Sequence, residues 1–457
     1  MSAPPAQPWI RRCAGVLLHL SSLPSGRLDT AADRFAQWLV AAGMHVWQML
    51  PVGPADASRS PFSPTSGCAG NTGLLPPEST AASGFDDFCA ANADWLEDWV
   101  LFCALSAEFP GRGWWQWPPA LRDREPGALT AARRRHAPAL AHERREQFRF
   151  AHAFAAFKRR VNALGLLLFG DTPLFLVHHS ADVWAHRQLF EIADDGRVEA
   201  VLGVPPDAFS TTGQWWGYPA YRWSALAAED WRWWRRRFQV QAQRFNLLRL
   251  DHFRGFAACW RIPADAPSAL HGSWVPGPGR AALDTLTPVL GATRLVAEDL
   301  GVITEDVTAL RRALGIPGMR VLQFAFDGGE ANPHLPIAHA ADTVCYTGTH
   351  DNDTTLGWWQ GLDETRRRRV REYFGCEDPP MPAALIETAF AGVAPLSIVP
   401  LQDLLGLGSQ ARMNHPGVAS GNWRWRFDWS QLPVELAPRL AADLAGHGRV
   451  AAAGAAS

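Results

Sequence analysis

Eight short apolar runs, separated by helical stretches, constrain the fold of this chain more than any other feature. The runs are continuously apolar and do not alternate with polar residues, which is typical of parallel strands covered by helices. They lie at 14–20, 45–52, 165–175, 247–252, 294–299, 319–326, 343–349 and 396–402. Helices are predicted over 30–43, 85–108, 128–163, 302–314 and 363–374. This alternation predicts an α/β protein with a (β/α)8 TIM barrel.

The uneven spacing of the runs predicts insertions into that barrel. Roughly 110 residues separate the second run from the third, and roughly 70 separate the third from the fourth, too many for single crossover helices. We expect mostly helical subdomains at about 55–163 and 176–245, on the C-terminal face of one catalytic domain spanning 1–457. The Gly-, Pro- and aromatic-rich segment 201–223 is predicted to be a loop, and the low-complexity tail 446–457 to be flexible.

Charge and cysteine content argue against several classes of function. The formal net charge is −2, whereas a nucleic-acid or anionic-membrane partner calls for a strong basic excess. No apolar run approaches the roughly 20 residues of a membrane helix. The seven cysteines are odd in number and form no CxxC pair, which argues against a disulfide scaffold or a zinc cluster. Arg11 and Arg12 precede an apolar stretch that lacks a cleavage site, so we expect a buried first strand and a cytoplasmic protein.

Four acidic residues stand at the ends of predicted strands. Asp171 belongs to the third strand, Asp251 to the fourth, Glu298 to the fifth and Asp351 to the seventh. The C-terminal ends of barrel strands converge on the face that carries the active site. Acids beside buried strands are costly unless they are paired or functional. We therefore expect these four side chains to meet at one rim.

Convergent carboxylates suit two chemistries. One is metal binding, in which His178 or His179 could join them as zinc ligands. The other is glycosidic-bond cleavage by one nucleophilic and one protonated carboxyl group. Arg249 lies two residues before Asp251, on the same strand face, and would keep Asp251 ionised, while the apolar setting of Glu298 would favour its protonated form. The 22 Trp residues suit sugar stacking and do nothing for a metal, so carbohydrate chemistry is favoured and both histidines are expected to be structural.

Eight longer blocks, in order along the chain from about residue 14 to 428, resemble the motifs of amylomaltases, the bacterial 4-alpha-glucanotransferases. The blocks are LLHLSSLPS at 17–25, HSADVWAH at 179–186, GVPPDAFSTTGQWWGYP at 203–219, RLDHFRGF at 249–256, AEDLGVIT at 297–304, GIPGMRVLQFAF at 315–326, YTGTHDNDTTLGW at 346–358 and ARMNHPG at 411–417. The resemblance is specific because the blocks are long and rich in uncommon residues. It implies an alpha-amylase-superfamily barrel that moves alpha-1,4-glucan segments between malto-oligosaccharides by a retaining double displacement.

The resemblance also implies roles for individual residues. Asp251 would be the nucleophile, Glu298 the acid and then the base, and Asp351 the carboxylate that binds ring hydroxyls. The supporting residues of the donor subsite would be Asp171, Arg249 and His350. Further substrate-binding positions would be His252, Phe62, Trp216 and Asp207. The segment 203–219 would cover the acceptor side.

The same resemblance implies a protein without a cofactor. Its implied partners are malto-oligosaccharides and starch- or glycogen-derived glucans, with neither nucleic acid nor membrane, and it would be a monomer or a weak homo-oligomer. Two alternatives stay open, a glucan hydrolase with weak transfer and a non-catalytic glucan-binding relative. The intact triad of Asp251, Glu298 and Asp351 argues against the second.

Departures from the family pattern concentrate on one part of the predicted site. Where the family typically has SPYQSFSAFAGNP, this chain reads ADASRSPFSPTSGCAGNTG, so Ala57 and Phe62 stand at usual tyrosine positions. Ala208 replaces the Tyr of PPDYF, and Tyr218 replaces the Asn of GNP. Phe62 can stack on a sugar but donates no hydrogen bond. We expect these changes to weaken binding on the acceptor side.

Overall fold

Eight parallel strands form the central barrel in the computed structural model, which describes residues 10–76, 83–206, 211–291, 293–418 and 420–449. In chain order the strands of the protein are β1 (Cys13–Leu17), β2 (Val46–Gln48), β3 (Leu167–Thr172), β4 (Ala200–Val204), β5 (Gln214–Pro219), β6 (Leu247–Leu250), β7 (Ala258–Pro263), β8 (Ser273–Pro276), β9 (Arg294–Ala297), β10 (Gly318–Val321), β11 (Thr343–Tyr346) and β12 (Leu396–Pro400). The barrel strands follow the order β10-β11-β12-β1-β2-β3-β6-β9. Each of the eight predicted runs overlaps one of them, so the predicted TIM barrel is confirmed.

The barrel closes between β9 and β10 through few contacts. The N–H of Ala297 donates to the carbonyl of Pro317 at 2.8 Å. The carboxylate of Asp299 then accepts from the N–H of Met319 at 2.6 Å and pairs with the buried Arg311 at 3.3 Å. The strand that precedes Glu298 is thus fixed to its neighbour by a side chain as well as by backbone.

Sixteen helices accompany the strands within the described residues. They are α1 (Thr30–Ala41), α2 (Phe85–Glu108), α3 (Pro119–Arg122), α4 (Pro126–Arg135), α5 (Ala137–Ala163), α6 (Ala181–Ala185), α7 (Trp223–Ala228), α8 (Arg232–Arg244), α9 (Arg254–Ala257), α10 (Gly279–Leu286), α11 (Glu305–Ala313), α12 (Thr355–Gly361), α13 (Glu364–Phe374), α14 (Ala383–Ala391), α15 (Leu401–Leu404) and α16 (Leu436–Gly446). The helix predicted over 128–163 is two helices, because Pro138 belongs in a first turn and not in a helix interior. None of these helices is both long and apolar enough to cross a membrane.

A second, antiparallel sheet in the order β5-β4-β7-β8 lies outside the barrel. The prediction of a loop over 201–223 is therefore wrong, since β4 and β5 occupy much of that segment. Gly203, Gly217 and Pro219 lie within these two strands, which Trp and Tyr residues favour. Residues 207–210, which include Asp207 and Ala208, lie outside the described residues.

The first strand and the segment after α16 meet at the same region of the barrel. All residues of β1 are buried, as predicted for the first strand. After α16, Arg449 is buried and donates hydrogen bonds to carbonyls around β1 and β12. The rest of the predicted flexible tail, 450–457, lies outside the described residues.

Candidate active site

The three predicted catalytic carboxylates line one cleft of about 530 Å³. Asp251 and Glu298 directly follow β6 and β9, which pair in register through Leu250 and Ala297. Asp351 lies in the segment between β11 and α12. Since parallel barrel strands end at one face, their sequence positions bring the three side chains together.

Arg249 joins two acids at the base of this cleft. Its Nη1 donates to Asp171 Oδ2 at 2.7 Å and to Asp251 Oδ1 at 3.0 Å. Burial raises the pKa of Asp171 well above its ordinary value, and the guanidinium opposes that shift. Burial also lowers the pKa of Arg249, but the charges of Asp171 and Asp251 outweigh it and raise that pKa overall. Arg249 is therefore a permanent positive charge between the two acids.

Asp251 is the partly accessible member of this pair. Its side chain keeps 27% of its surface exposed, whereas that of Asp171 is fully buried. Burial raises the pKa of Asp251, the Arg249 charge lowers it, and Asp351 raises it again. Asp251 is thus a carboxylate that reaches the cleft and is held by a cation, as a nucleophile requires.

Glu298 is held by backbone groups and not by a cation. Its Oε2 accepts from the N–H of His252 at 2.7 Å, and its Oε1 accepts from the N–H of Leu300 at 3.1 Å. His252 adopts a φ of 49°, an uncommon conformation for a residue other than glycine. Burial raises the pKa of Glu298 to about 7, although Arg249 lowers it. At neutral pH this group can give and take a proton.

Asp351 is oriented by two residues that our sequence analysis did not single out. Asn414 Nδ2 donates to Asp351 Oδ1 at 2.6 Å, and Arg412 donates to the Asp351 carbonyl at 2.7 Å. Both belong to the ARMNHPG block, which was the available signal. His350 Nε2 lies 3.3 Å from Asp351 Oδ2, and burial lowers the pKa of His350 to about 4 despite that carboxylate. His350 is therefore neutral at physiological pH.

The segment 347–355, which carries His350 and Asp351, is fixed at both ends by Asp403. Asp403 Oδ2 accepts from the hydroxyls of Thr347 at 2.6 Å and Thr355 at 2.7 Å. Its Oδ1 accepts from the N–H of Thr355 at 2.7 Å. Asp403 is buried in α15, directly after β12. No local pattern around it indicates that it contacts a segment 48 to 56 residues earlier in the chain.

Phe62 lies in the cleft beside His350, the residue that precedes Asp351. Its ring stacks on His350 with centroids 4.6 Å apart and an 11° angle, and Trp423 lies 6.0 Å away. The expectation that Phe62 acts on the acceptor side stays a prediction, and these contacts place its ring near Asp351. The hydroxyl of Tyr218 donates to the Phe62 carbonyl at 3.0 Å, so two of the departures are in contact. Ala57 is exposed nearby.

The structure describes two of the remaining predicted site residues, Trp216 and His252. Trp216 lines the cleft with its ring edge-on to His252, at 4.8 Å and 90°. Burial lowers the pKa of His252 to about 4. Asp207 lies outside the described residues.

His178 and His179 pack within the helical insertion and do not line the cleft. His178 stacks on Trp115 with centroids 3.9 Å apart, and its Nε2 contacts the Gly196 carbonyl at 2.9 Å. His179 Nδ1 accepts from the N–H of Trp114 at 3.1 Å. Both contacts are structural. Across the described ranges, no cluster of three His, Cys, Asp or Glu side chains could hold a metal ion.

Comparison with known proteins relates this fold and cleft to one family. A family model described as 4-alpha-glucanotransferase matches residues 18–83 and 76–431. The 4-alpha-glucanotransferase of Thermus thermophilus is 41% identical over 95% of this chain and 97% of its own length. That of Synechocystis sp. is 38% identical over 96% and 98%. The structure of amylomaltase from Streptococcus agalactiae in complex with acarbose superposes with a TM-score of 0.91 at 28% identity, covering 96% of this chain and all of that one.

Proposed function

The chain belongs to the 4-alpha-glucanotransferase family and is an enzyme with that activity, and we propose that Asp251, Glu298 and Asp351 carry out its reaction. In that reaction, alpha-1,4-glucan segments move between malto-oligosaccharides by a retaining double displacement. The supporting observation is one cleft that holds a cation-paired carboxylate beside a carboxyl group whose pKa is about 7. Such a pair fits glycosidic-bond chemistry through a covalent intermediate.

In the first step Asp251 attacks the anomeric carbon of the donor glucan. The bond from that carbon to the glycosidic oxygen breaks, and Glu298 gives its proton to the departing oxygen. A glucosyl ester of Asp251 forms, with inverted configuration at the anomeric carbon. Arg249 stabilises the ionised carboxylate before attack, through the hydrogen bond at 3.0 Å.

In the second step a hydroxyl of the acceptor glucan replaces the departed chain. Glu298 is now ionised and removes the hydroxyl proton as the oxygen attacks the anomeric carbon. The ester bond to Asp251 breaks, and the second inversion restores the original configuration. A pKa of about 7 suits a group that must act first as an acid and then as a base.

One side of the cleft binds the donor glucan, and the other side binds the acceptor glucan. Asp351, His350 and Asn414 present polar atoms to the donor sugar, and the Phe62 ring lies against them. Trp216, on β5, presents an aromatic ring on the acceptor side. Starch- or glycogen-derived glucans and malto-oligosaccharides are the substrates that this division accommodates.

The test is product analysis with maltotriose as the only substrate. The wild-type enzyme is expected to form glucose together with chains longer than maltotriose. Asp251→Asn should raise the activation barrier by more than about 4 kcal/mol, because an amide cannot form the ester. Such an increase slows the reaction by roughly a thousandfold or more. Asp284→Asn, an exposed change on α10, is the matched control and should retain transfer.

Two results would overturn the proposal. Release of glucose and maltose without longer chains would identify a hydrolase. Transfer by Asp251→Asn within tenfold of the wild type would reject Asp251 as the nucleophile.

A further inference from the structure

Two exposed apolar side chains lie in the wall of the cleft, and the proposed chemistry uses neither. Trp274 on β8 is 38% exposed, and Val302, four residues after Glu298, is 59% exposed. Both line the same cleft as Asp251 and Glu298. Apolar surface that is left open in the wall of a ligand cleft indicates a binding position.

The ring of Trp274 is held in place on two sides. The guanidinium carbon of Arg254 lies 4.0 Å from the ring centroid. Trp260, its cross-strand partner on β7, meets it edge-on with centroids 5.3 Å apart. Trp260 is itself fixed, since its indole N–H donates to the carbonyl of Ala269 at 2.8 Å. The exposed part of the Trp274 ring is thus a rigid surface.

Arg254 connects Trp274 to the segment that follows Glu298. Its Nη1 donates to the carbonyl of Val302 at 2.7 Å and to the hydroxyl of Thr304 at 3.0 Å. The Arg254 side chain is buried, so it acts as a support and is not a free cation in the cleft. Arg254 therefore holds Trp274 and Val302 at a fixed separation. A sugar that binds between them does not have to order these side chains, which lowers the entropy cost of binding.

The sheet that carries Trp274 also supplies the acceptor side of the proposed site. Trp274 lies on the antiparallel sheet whose strand β5 carries Trp216. Arg254 opens α9, just after Asp251 and His252. The donor-side group of His350, Asp351 and Phe62 lies instead with the segment after β11.

We propose that Trp274 and Val302 form a distal acceptor subsite for a glucose unit of a longer alpha-glucan. The apolar CH face of the sugar ring stacks on the exposed indole, and Val302 closes the opposite edge. The subsite determines the preferred length of the acceptor and takes no part in bond cleavage. This inference rests on the proposed transferase function.

The test compares two acceptors, glucose and maltopentaose, with soluble amylose as the donor. The quantity measured is the ratio of kcat/KM for maltopentaose to kcat/KM for glucose. In Trp274→Ala this ratio should fall about tenfold, through a higher KM for maltopentaose. Trp274→Phe keeps an aromatic face and should recover most of the ratio. Tyr373→Ala removes an exposed ring on α13, which does not line the cleft, and serves as the control.

The outcomes separate this inference from the function on which it rests. An unchanged ratio in a folded Trp274→Ala that still transfers glucan would overturn the subsite alone. An equal loss for both acceptors would also overturn it, because it would indicate general damage to the cleft. Absence of transfer by the wild-type enzyme would overturn the proposed function itself. Thermal unfolding of each variant verifies that it is folded.

Discussion

In the proposed mechanism the single carboxyl group of Glu298 releases a proton and later takes one back. Burial raises its pKa to about 7, and the N–H groups of His252 and Leu300 hold both oxygens in place. The apolar residues before Glu298 predict this raised pKa from the sequence. The two backbone donors could not be predicted, because the left-handed conformation of His252 that directs one of them has no sequence signal.

The raised pKa of Glu298 predicts the pH dependence of the first step. The protonated form is the active acid, and it is lost as pH rises through about 7, so kcat/KM for maltotriose should fall there. An activated aryl maltoside needs little protonation to depart, so with that donor the limb should be weaker in the wild type than with maltotriose and absent in Glu298→Gln, which cannot titrate. Rates for both proteins with that donor, from acid to mildly alkaline pH, check the assignment. The same limb in Glu298→Gln would assign it to another group.

Residue-scale departures from the family pattern also have a structural consequence. Phe62 lacks the hydroxyl usual at its position, but Tyr218 donates a hydrogen bond to the Phe62 backbone at 3.0 Å. The sequence identifies both positions as unusual. It cannot indicate that they touch, since they are far apart along the chain and belong to different elements.

At the scale of elements, the segment 347–355 depends on a carboxylate outside it. Asp403 accepts three hydrogen bonds from Thr347 and Thr355, which stand at the two ends of the segment. Asp351 lies between them. Asp403 does not line the cleft, so we expect it to act as a positioning residue, through Asp351.

We expect Asp403→Asn to lower kcat by roughly ten- to a hundredfold, because losing buried hydrogen bonds to a charged group costs about 1.5–3 kcal/mol. Thr347→Val should show a smaller loss, and Thr347→Ser, which keeps the hydroxyl, should show almost none. The decisive measurement is a double-mutant cycle with Asp351→Asn. Additive losses in that cycle would mean that Asp403 acts independently of Asp351.

The elements themselves were predictable where one local pattern dominates. The boundaries of α2 match those predicted, and the barrel strands follow from their continuous apolar runs. The strands β4 and β5 were missed because Gly and Pro residues lie within and around them, and β7, which pairs with β4, follows much later in the chain. Pairing over such a distance leaves no periodic signal in the segment itself.

At the scale of the whole molecule, Arg449 joins the end of the described chain to the barrel. Its guanidinium lies within hydrogen-bond distance of six carbonyls, those of Ala389 and Phe390 at the end of α14, Gly392, Ala394 and Pro395 between α14 and β12, and Cys13 at the start of β1. The sequence suggested a flexible tail here, since its composition is low in complexity. Composition does not indicate that one arginine in it is buried.

Arg449→Met should lower the free energy of unfolding by about 2–4 kcal/mol, because several buried carbonyls lose a charged donor. The measurement is urea unfolding. Arg439→Met, an exposed change on α16, is the control and should alter stability by no more than about 0.5 kcal/mol. Equal stability of the two variants would mean that the contacts of Arg449 contribute nothing to the barrel.

The covalent step on Asp251 is the central claim for this molecule, and trapping it tests the claim most directly. Glu298→Gln is incubated with alpha-maltosyl fluoride, whose departing fluoride needs no proton, so the ester forms while its breakdown is slow. Intact-mass and peptide mass spectrometry should find one maltosyl group on the peptide that contains Asp251. The double variant Asp251→Asn/Glu298→Gln should carry none. A maltosyl group on another residue, or turnover of the fluoride by the double variant at an undiminished rate, would contradict the account.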